Sequence, residues 1–452
     1  ILKKPLSEKE LNVILRDEAF KKQSFFKGTR FLHDKFAEYL KRDCHVIKLN
    51  GQLHSYQGGV YVAGRLPIEK AMVKELPFLT DAKRKETLKQ LDIICDSTPL
   101  SGVNFIAFKN GIYNVIDKSF SESNPNIVVT NMIPWNYNPA AESELLDTTL
   151  DKIACFDSNI RSLLEECIGS CLYRSNTLGG GKAFILTGEG SNGKSTFIDM
   201  IKDILGEENI ASLDLKELGD RFKTAELFGK LANVGDDISS EYIPNASVFK
   251  KLVTGERVNA ERKGQDPFEF NNYCKFLFSS NDIPKMGGAK DSKPLRRRFK
   301  IIPFDAHFSP DDADHNTDIR NELAKQEHIE YAILLGLKGL HHVLETQKYT
   351  DSKKVEEQLE EFEVRNNSVK AFVVECEEND FEGDCKIINE PCSKVYRHYE
   401  EFCFRNGHKN VFSRNEFGKQ LQRILPVTTK ASRVKEEGNK VCKVYVKSVT
   451  AS

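Results

Sequence analysis

Residues 183–205, AFILTGEGSNGKSTFIDMIKDIL, constrain the fold of this 452-residue chain more than any other stretch. An apolar run that reads as a buried strand leads into Gly188, Gly193, Lys194 and Ser195, which fit the pattern G-x-x-x-x-G-K-[ST]. After the loop, Phe197, Ile198, Ile201, Ile204 and Leu205 fall on one helical face. Glycines let the loop turn tightly and bring backbone N–H groups against phosphate oxygens, and the helix N-terminus adds partial positive charge. In such a loop Lys194 reaches the β- and γ-phosphates and Ser195 holds Mg²⁺. The residues expected to cradle the nucleotide are Gly188, Glu189, Gly190, Ser191, Asn192, Gly193, Lys194, Ser195 and Thr196.

From 183 to 304 strands and helices alternate, which argues for an α/β core with a mainly parallel sheet. Five strands are expected, in AFILTG, NIASLDL, LANVGDD, YCKFLFSSN and RFKIIPF. The third ends in Asp236 and Asp237, carboxylates placed to hold Mg²⁺ and orient water at the tip of a strand beside the phosphate loop. The fourth ends in Asn281, which could polarise that water from the strand next to the acidic one. Before the fifth come Arg296, Arg297 and Arg298, candidates for a finger that reaches the γ-phosphate of a neighbouring subunit.

In this order the segments GEGSNGKST, LANVGDD, KKLVTGERVNAERKGQDPFEF, FLFSSNDIP and RRRFKIIPF resemble the superfamily III helicases. The resemblance is strongest to the helicase part of phage and plasmid primase-helicases, related to the poxvirus primase-helicase. It implies an AAA+-like P-loop ATPase that works as a ring, with ATP and Mg²⁺ between subunits. It also implies a hairpin in KKLVTGERVNAERKGQDPFEF. Val258, Asn259 and Ala260 would run up one arm, PFEF down the other, and Arg262-Lys263-Gly264 would form a basic, exposed tip in a central channel. Cations at the narrowest point of a pore suit a threaded phosphate backbone; Lys250 and Lys251 would add to them. Relatives often have Glu where this chain has Asp-Asp, so either Asp236 or Asp237 could orient water. Counting back from IIPF favours Arg298 as the finger, with Arg297 next.

Around this core the chain divides. Residues 1–150 read as an α+β domain, with helices in SEKELNVILRDEAF and FLHDKFAEYLKRD and hairpins turning at Asn50-Gly51, Gly58-Gly59 and Asn110-Gly111. The core spans 151–310 and a helical, charged segment 311–365. Charge then changes sign: residues 353–384 carry eleven acidic and four basic side chains, and residues 386–452 fourteen basic and six acidic. Residues 366–452 are expected to form a winged helix. Its second helix, SRNEFGKQLQRIL, is capped by Ser413 and exposes Arg414, Lys419 and Arg423, and a basic hairpin turns at Gly438-Asn439.

Whole-chain net charge is −1 and says nothing about a nucleic-acid partner. Eleven scattered cysteines without C-x₂₋₄-C spacing in the tail argue against zinc and for a reducing compartment, the host cytoplasm. No apolar run approaches the length of a membrane span. The chain opens on Ile1, not Met, so a primase domain upstream could have been cut away; no priming activity is expected of residues 1–150. The reading is an ATP-dependent replicative DNA helicase of a phage or mobile element, a hexamer acting on single-stranded and forked DNA. One rival is an ATP-controlled origin binder or loader that does not unwind. A small-molecule P-loop kinase is another, against which the basic hairpin and tail speak.

Overall fold

The computed structural model describes residues 24–236, 247–264, 266–282, 293–312, 316–408, 411–434 and 440–448. The helix expected in SEKELNVILRDEAF, Asp237 and the Gly438-Asn439 turn lie outside them.

The core is a five-stranded parallel sheet. Its strands are β1 (Ala183–Thr187), β2 (Ile210–Ala211), β3 (Ala232–Gly235), β6 (Lys275–Ser280) and β7 (Phe299–Pro303). Between β3 and β6 the chain makes an antiparallel hairpin, β4 (Arg257–Ala260) with β5 (Phe268–Asn271). Each of the five expected strands contains an observed one. β1 and β6 are buried along their whole length, as the apolar strands of a parallel sheet covered on both faces must be. The lateral order is β2-β3-β6-β1-β7. This corrects one expectation: the acidic strand β3 is not the neighbour of the loop strand β1, because the Asn strand β6 lies between them. Strand order along the chain does not fix order across a sheet, and here a later strand inserts centrally.

Helices α1 (Ser158–Leu172) and α3 (Gln326–Thr346) pack together and against α2 (Lys194–Leu205). Glycines set their spacing. A Cβ added to Gly169 would lie 2.8 Å from the Leu340 backbone nitrogen, and one on Gly339 would lie 2.5 Å from the Glu165 carbonyl carbon. Gly169→Ala is therefore expected to destabilise the fold by about 1–3 kcal/mol, since well-packed backbone cannot yield. Gly219→Ala, which meets nothing within 4 Å, is expected to stay within about 0.5 kcal/mol. Denaturant unfolding of the two variants beside the wild type checks this.

The amino-terminal region has helices His33–Asp43, Arg65–Glu75 and Asp81–Ile94 around Phe36, Leu40, Ile68, Met72 and Leu91. A three-stranded antiparallel sheet turns at Asn50-Gly51 and Gly58-Gly59, and Phe105–Phe108 pairs with Gly111–Asn114. Buried polar side chains tie this region to the core. Arg174, 6% exposed, donates to the Gly102 carbonyl at 2.8 Å. The Asn131 amide donates to Asn209 Oδ1 at 2.9 Å and to the Gly229 carbonyl at 2.7 Å, and Trp135 Nε1 donates to the Asp203 carbonyl at 2.7 Å. Buried polar groups satisfied in this way fix a junction that apolar contact alone would leave free to slide.

After α4 (Lys353–Asn366) a separate apolar cluster runs from Val369 to Tyr445. It joins α5 (Ser368–Glu378), helices Cys392–Arg405 and Arg414–Ile424, and the antiparallel strands Val427–Val434 and Lys440–Lys447. Phe372, Tyr399 and Phe417 meet at its centre, with the Tyr399 and Phe417 rings 4.5 Å apart. Ser413 caps the helix Arg414–Ile424 by accepting from the Glu416 N–H. Among the described residues no helix is long and apolar enough to cross a membrane.

Candidate functional site

The glycine loop closes over the end of β1 in a way only glycine allows at two positions. Gly188 has φ +147°, and a Cβ there would lie 2.5 Å from the Phe304 carbonyl oxygen. Gly193 is left-handed at φ +87°, and a Cβ there would lie 2.7 Å from Ile153. Lys194 follows as the first residue of α2 and is only 8% exposed. Its ammonium donates to the Gly188 carbonyl, to the Glu189 carbonyl at 3.0 Å and to Asn192 Oδ1 at 3.3 Å. The Asn192 amide in turn donates to the Phe304 carbonyl at 3.1 Å, and the Phe308 N–H to the Ser191 carbonyl at 2.8 Å. Beside the loop lies a cavity of about 430 Å³, with Leu145, Ile153, Phe308 and Ile319 on its apolar walls and Ser195 and Thr196 on its polar side. A volume of this order suits a small organic ligand.

Because β3, β6 and β1 are parallel neighbours, their carboxyl ends share one edge of the sheet, and the loop, Asp236 and Asn281 all follow those ends. Asp236 is exposed, and one of its oxygens accepts from Ser279 Oγ at 2.7 Å. The Ser195 hydroxyl has no hydrogen-bond partner among the described residues. A hydroxyl and a carboxylate are hard oxygen donors, the kind Mg²⁺ takes, so the residues present fit that ion. No group of three or more His, Cys, Asp or Glu among the described residues is arranged to hold a metal. A Mg²⁺ ion here would draw its other ligands from phosphate and water. Sequence reasoning singled out neither Ser279 nor Gln358, whose Oε1 accepts from Thr187 Oγ1 at 3.2 Å; neither belongs to a spaced pattern.

The three arginines point in three directions. Arg296 pairs with Glu356 and with Glu363, the latter at 3.3 Å. Arg298 is half-buried and turned onto its own chain: Nη1 donates to the Pro294 carbonyl at 2.7 Å and Nε to the Lys250 carbonyl at 3.3 Å. Burial lowers the pKa of its guanidinium. Arg297 is exposed, and its side chain has no partner among the described residues. Counting along the sequence favours Arg298, whereas the folded chain presents Arg297 to solvent.

In the β4–β5 hairpin Val258, Asn259 and Ala260 pair with Phe270, Glu269 and Phe268. Lys263 and Gly264 are exposed at its tip. Arg262 is not, which corrects the expected three-residue tip. Its guanidinium lies 5.0 Å from the Phe268 ring centroid and 5.6 Å from that of Phe228, a cation–π stack that half-buries it. Lys250 and Lys251 lie on the helix Ser247–Val253 that leads into the hairpin, the first half-buried and the second exposed. In the tail Arg414, Lys419 and Arg423 are exposed, while Phe417, Gln420 and Leu421 on the same helix are buried. Lys430, Arg433 and Lys443 are exposed on the following strands.

Three family models match successive parts of the chain. Residues 16–155 match a "D5 N terminal like" family, 186–298 a family of unknown function (DUF5906), and 365–451 a "Poxvirus D5 protein-like" family. The two ends of the chain are thus similar to D5-like primase-helicases. Relatives of this D5-like chain include "Putative helicase 184R" of Invertebrate iridescent virus 6, 27% identical over 50% of this chain and 24% of that protein. "Putative helicase V13" of Sputnik virophage is 26% identical over 46% of this chain and 28% of that protein. The DNA primase-polymerase of Nitratiruptor phage NrS-1 is 26% identical over 29% of this chain and 18% of that protein. The chain thus aligns with between 18% and 28% of the length of these curated relatives. The A form apo structure of the NrS-1 C-terminal region has a TM-score of 0.52 at 14% identity, covering 89% of this chain and 96% of that one. That likeness is one of fold.

Proposed function

We propose that this D5-like chain is the ATP-driven helicase motor of a viral, phage or mobile-element primase-helicase, and that it works on single-stranded and forked DNA as a ring, a hexamer. The observation that carries the reading is the shared sheet edge, where Lys194, Asp236 and Asn281 follow three adjacent parallel strands. This shared edge supports the reading of an AAA+-like P-loop ATPase, in which positioning and electrostatics supply the catalysis of phosphoryl transfer.

In this proposal the backbone of Gly188 to Thr196 cradles the phosphates of ATP, and Lys194 leaves its loop carbonyls to sit on the β- and γ-phosphates. Mg²⁺ held by Ser195 and Asp236 would neutralise charge on the phosphates. Asn281, with Asp236 or Asp237, orients the attacking water. An arginine from the next subunit, Arg297 or Arg298, meets the charge that develops on the γ-phosphate. Lys263, with Lys250 and Lys251 behind it, holds the strand inside the ring, and Arg262 stiffens the turn end of the hairpin through its aromatic stack. The tail acts as a winged helix that engages DNA through Arg414, Lys419 and Arg423, with contacts that weaken as salt rises. A primase domain or protein is the expected partner, in the host cytoplasm. The rival, an origin binder or loader, shares every feature except strand separation.

The deciding experiment measures ATP hydrolysis with and without single-stranded DNA beside unwinding of a labelled fork. Stimulated hydrolysis with unwinding supports the motor; stimulation without unwinding favours the loader. The trans arginine has its own test. Arg297→Ala and Arg298→Ala are each mixed with Lys194→Ala protein, two inactive forms that restore activity only where a subunit interface combines the intact halves. The finger is the arginine whose variant is inactive when assayed alone and regains turnover in the mixture, and no rescue at any ratio rules out sharing between subunits.

A further inference from the structure

Glu363 stands at a junction between parts of the chain that the proposed mechanism treats separately. It lies in the last turns of α4 with 5% of its surface exposed. Two cations from different elements converge on its carboxylate. Arg296 Nη1 arrives from the short helix Lys293–Arg296 at 3.3 Å, and Lys370 Nζ arrives from α5, the first helix of the tail, at 2.7 Å. Arg296 also bonds Glu356, two turns earlier on the same face of α4. A second strut runs alongside: Arg365 Nη1 meets Asp282 Oδ1 at 3.1 Å, one residue beyond Asn281, and Arg365 Nη2 meets Glu361 at 2.6 Å.

α4 is also fastened along β7, from the strand's amino end, opposite the nucleotide edge, to just beyond its carboxyl end. Phe362 packs edge-on to Phe299 of β7 with centroids 5.3 Å apart, and Lys354 pairs with Asp305 at 3.1 Å. At its other end only Asn367 separates α4 from α5, and the Asn367 side chain caps α5 by accepting from the N–H groups of Val369 and Lys370. A displacement of the tail is therefore felt first at Lys370, then at Glu363, then at Arg296. Arg296 is followed directly by Arg297 and Arg298. A buried carboxylate shared by two cations holds both through charge-assisted hydrogen bonds, and loosening one changes its hold on the other.

We propose that Glu363 is a positioning residue that couples the DNA-binding tail to the arginine turn at Arg296–Arg298, so that engagement of DNA by the tail sets the pose of the arginine used in ATP hydrolysis. This rests on the motor reading above. Glu363 touches neither ATP nor DNA in this scheme; it acts through Arg296 and Lys370.

The test uses the full chain and three variants, Glu363→Gln, Glu363→Asp and Lys370→Met. ATP affinity, DNA affinity and ATP turnover with and without single-stranded DNA are measured for each. Glu363→Gln is expected to lower DNA-stimulated kcat by about tenfold while ATP and DNA affinities stay within about twofold, because only the pose of the arginine is lost. Glu363→Asp keeps the charge and is expected to retain most of the stimulation. Lys370→Met is expected to keep basal turnover and lose the response to DNA. Stimulated turnover of Glu363→Gln within about twofold of wild type overturns the proposal. So does a parallel loss of ATP affinity and kcat shared by Glu363→Asp, which marks a packing role. A wild-type chain that hydrolyses no ATP defeats the motor reading, and the coupling falls with it.

Discussion

Lys194→Ala is expected to lower ATP turnover by about a hundredfold or more, the size of effect seen when a preorganised charge on a transferring phosphoryl group is removed. The same variant should unfold at close to the wild-type temperature. The ammonium contacts loop atoms, the carbonyls of Gly188 and Glu189 and the Asn192 side chain. The aliphatic part of Lys194 is covered, but Phe197, Ile198 and Ile201 hold α2 on the sheet without it. Steady-state hydrolysis and a thermal melt of the same preparation check both halves. Turnover within a few-fold of wild type would mean that the loop does not serve ATP hydrolysis. A collapsed melt would mean that Lys194 is structural.

The second large effect concerns work rather than hydrolysis. Lys263→Ala should reduce fork unwinding by about tenfold or more while basal hydrolysis stays within about twofold, since one backbone-gripping cation is lost and no group at the phosphates changes. The contrast depends on where the two cations of the hairpin sit. Lys263 is exposed at the tip, whereas Arg262 is held by the rings of Phe228 and Phe268. Arg262→Ala should therefore behave differently, loosening the turn end of the hairpin and lowering stability along with unwinding. Fork assays and melts of the two variants side by side separate a gripping residue from a supporting one. Normal unwinding by Lys263→Ala would remove the hairpin from the proposed DNA path.

The parallel sheet was legible because its signal is local. Each strand is an apolar run bounded by turn residues, and β1 carries its glycine loop and amphipathic helix directly behind it. The hairpin arms, by contrast, were expected from the family resemblance, and the paired strands Arg257–Ala260 and Phe268–Asn271 match them. What the sequence could not reveal is lateral. Nothing in LANVGDD or FLFSSN states that β6 lies between β1 and β3, because that order arises when the whole sheet closes. The stack that takes Arg262 from the tip joins residues 228, 262 and 268, and the turn of Arg298 onto Lys250 and Pro294 is set by how the helix Lys293–Arg296 meets β7. Helix Arg65–Glu75 escaped notice because it buries only Ile68 and Met72, too few to make a stripe. α4 reads as a charged surface helix, yet Glu363 and Phe362 are buried; charge in a sequence does not reveal which charges face inward to partners.

The ties made by Arg174, Asn131 and Trp135 bear on how this chain can be cut. The main apolar cluster runs without a break from Ile106, Phe108 and Ile133 through the sheet to Phe362. A motor trimmed to begin near residue 151 would lose that wall and the carbonyls of Ser101 and Gly102, leaving the Arg174 guanidinium without its acceptors. A cut that spares the Arg174 ties therefore lies upstream of residue 100. In the proposed ring, a load on the core would pass to the amino-terminal region through these buried hydrogen bonds and the unbroken apolar cluster.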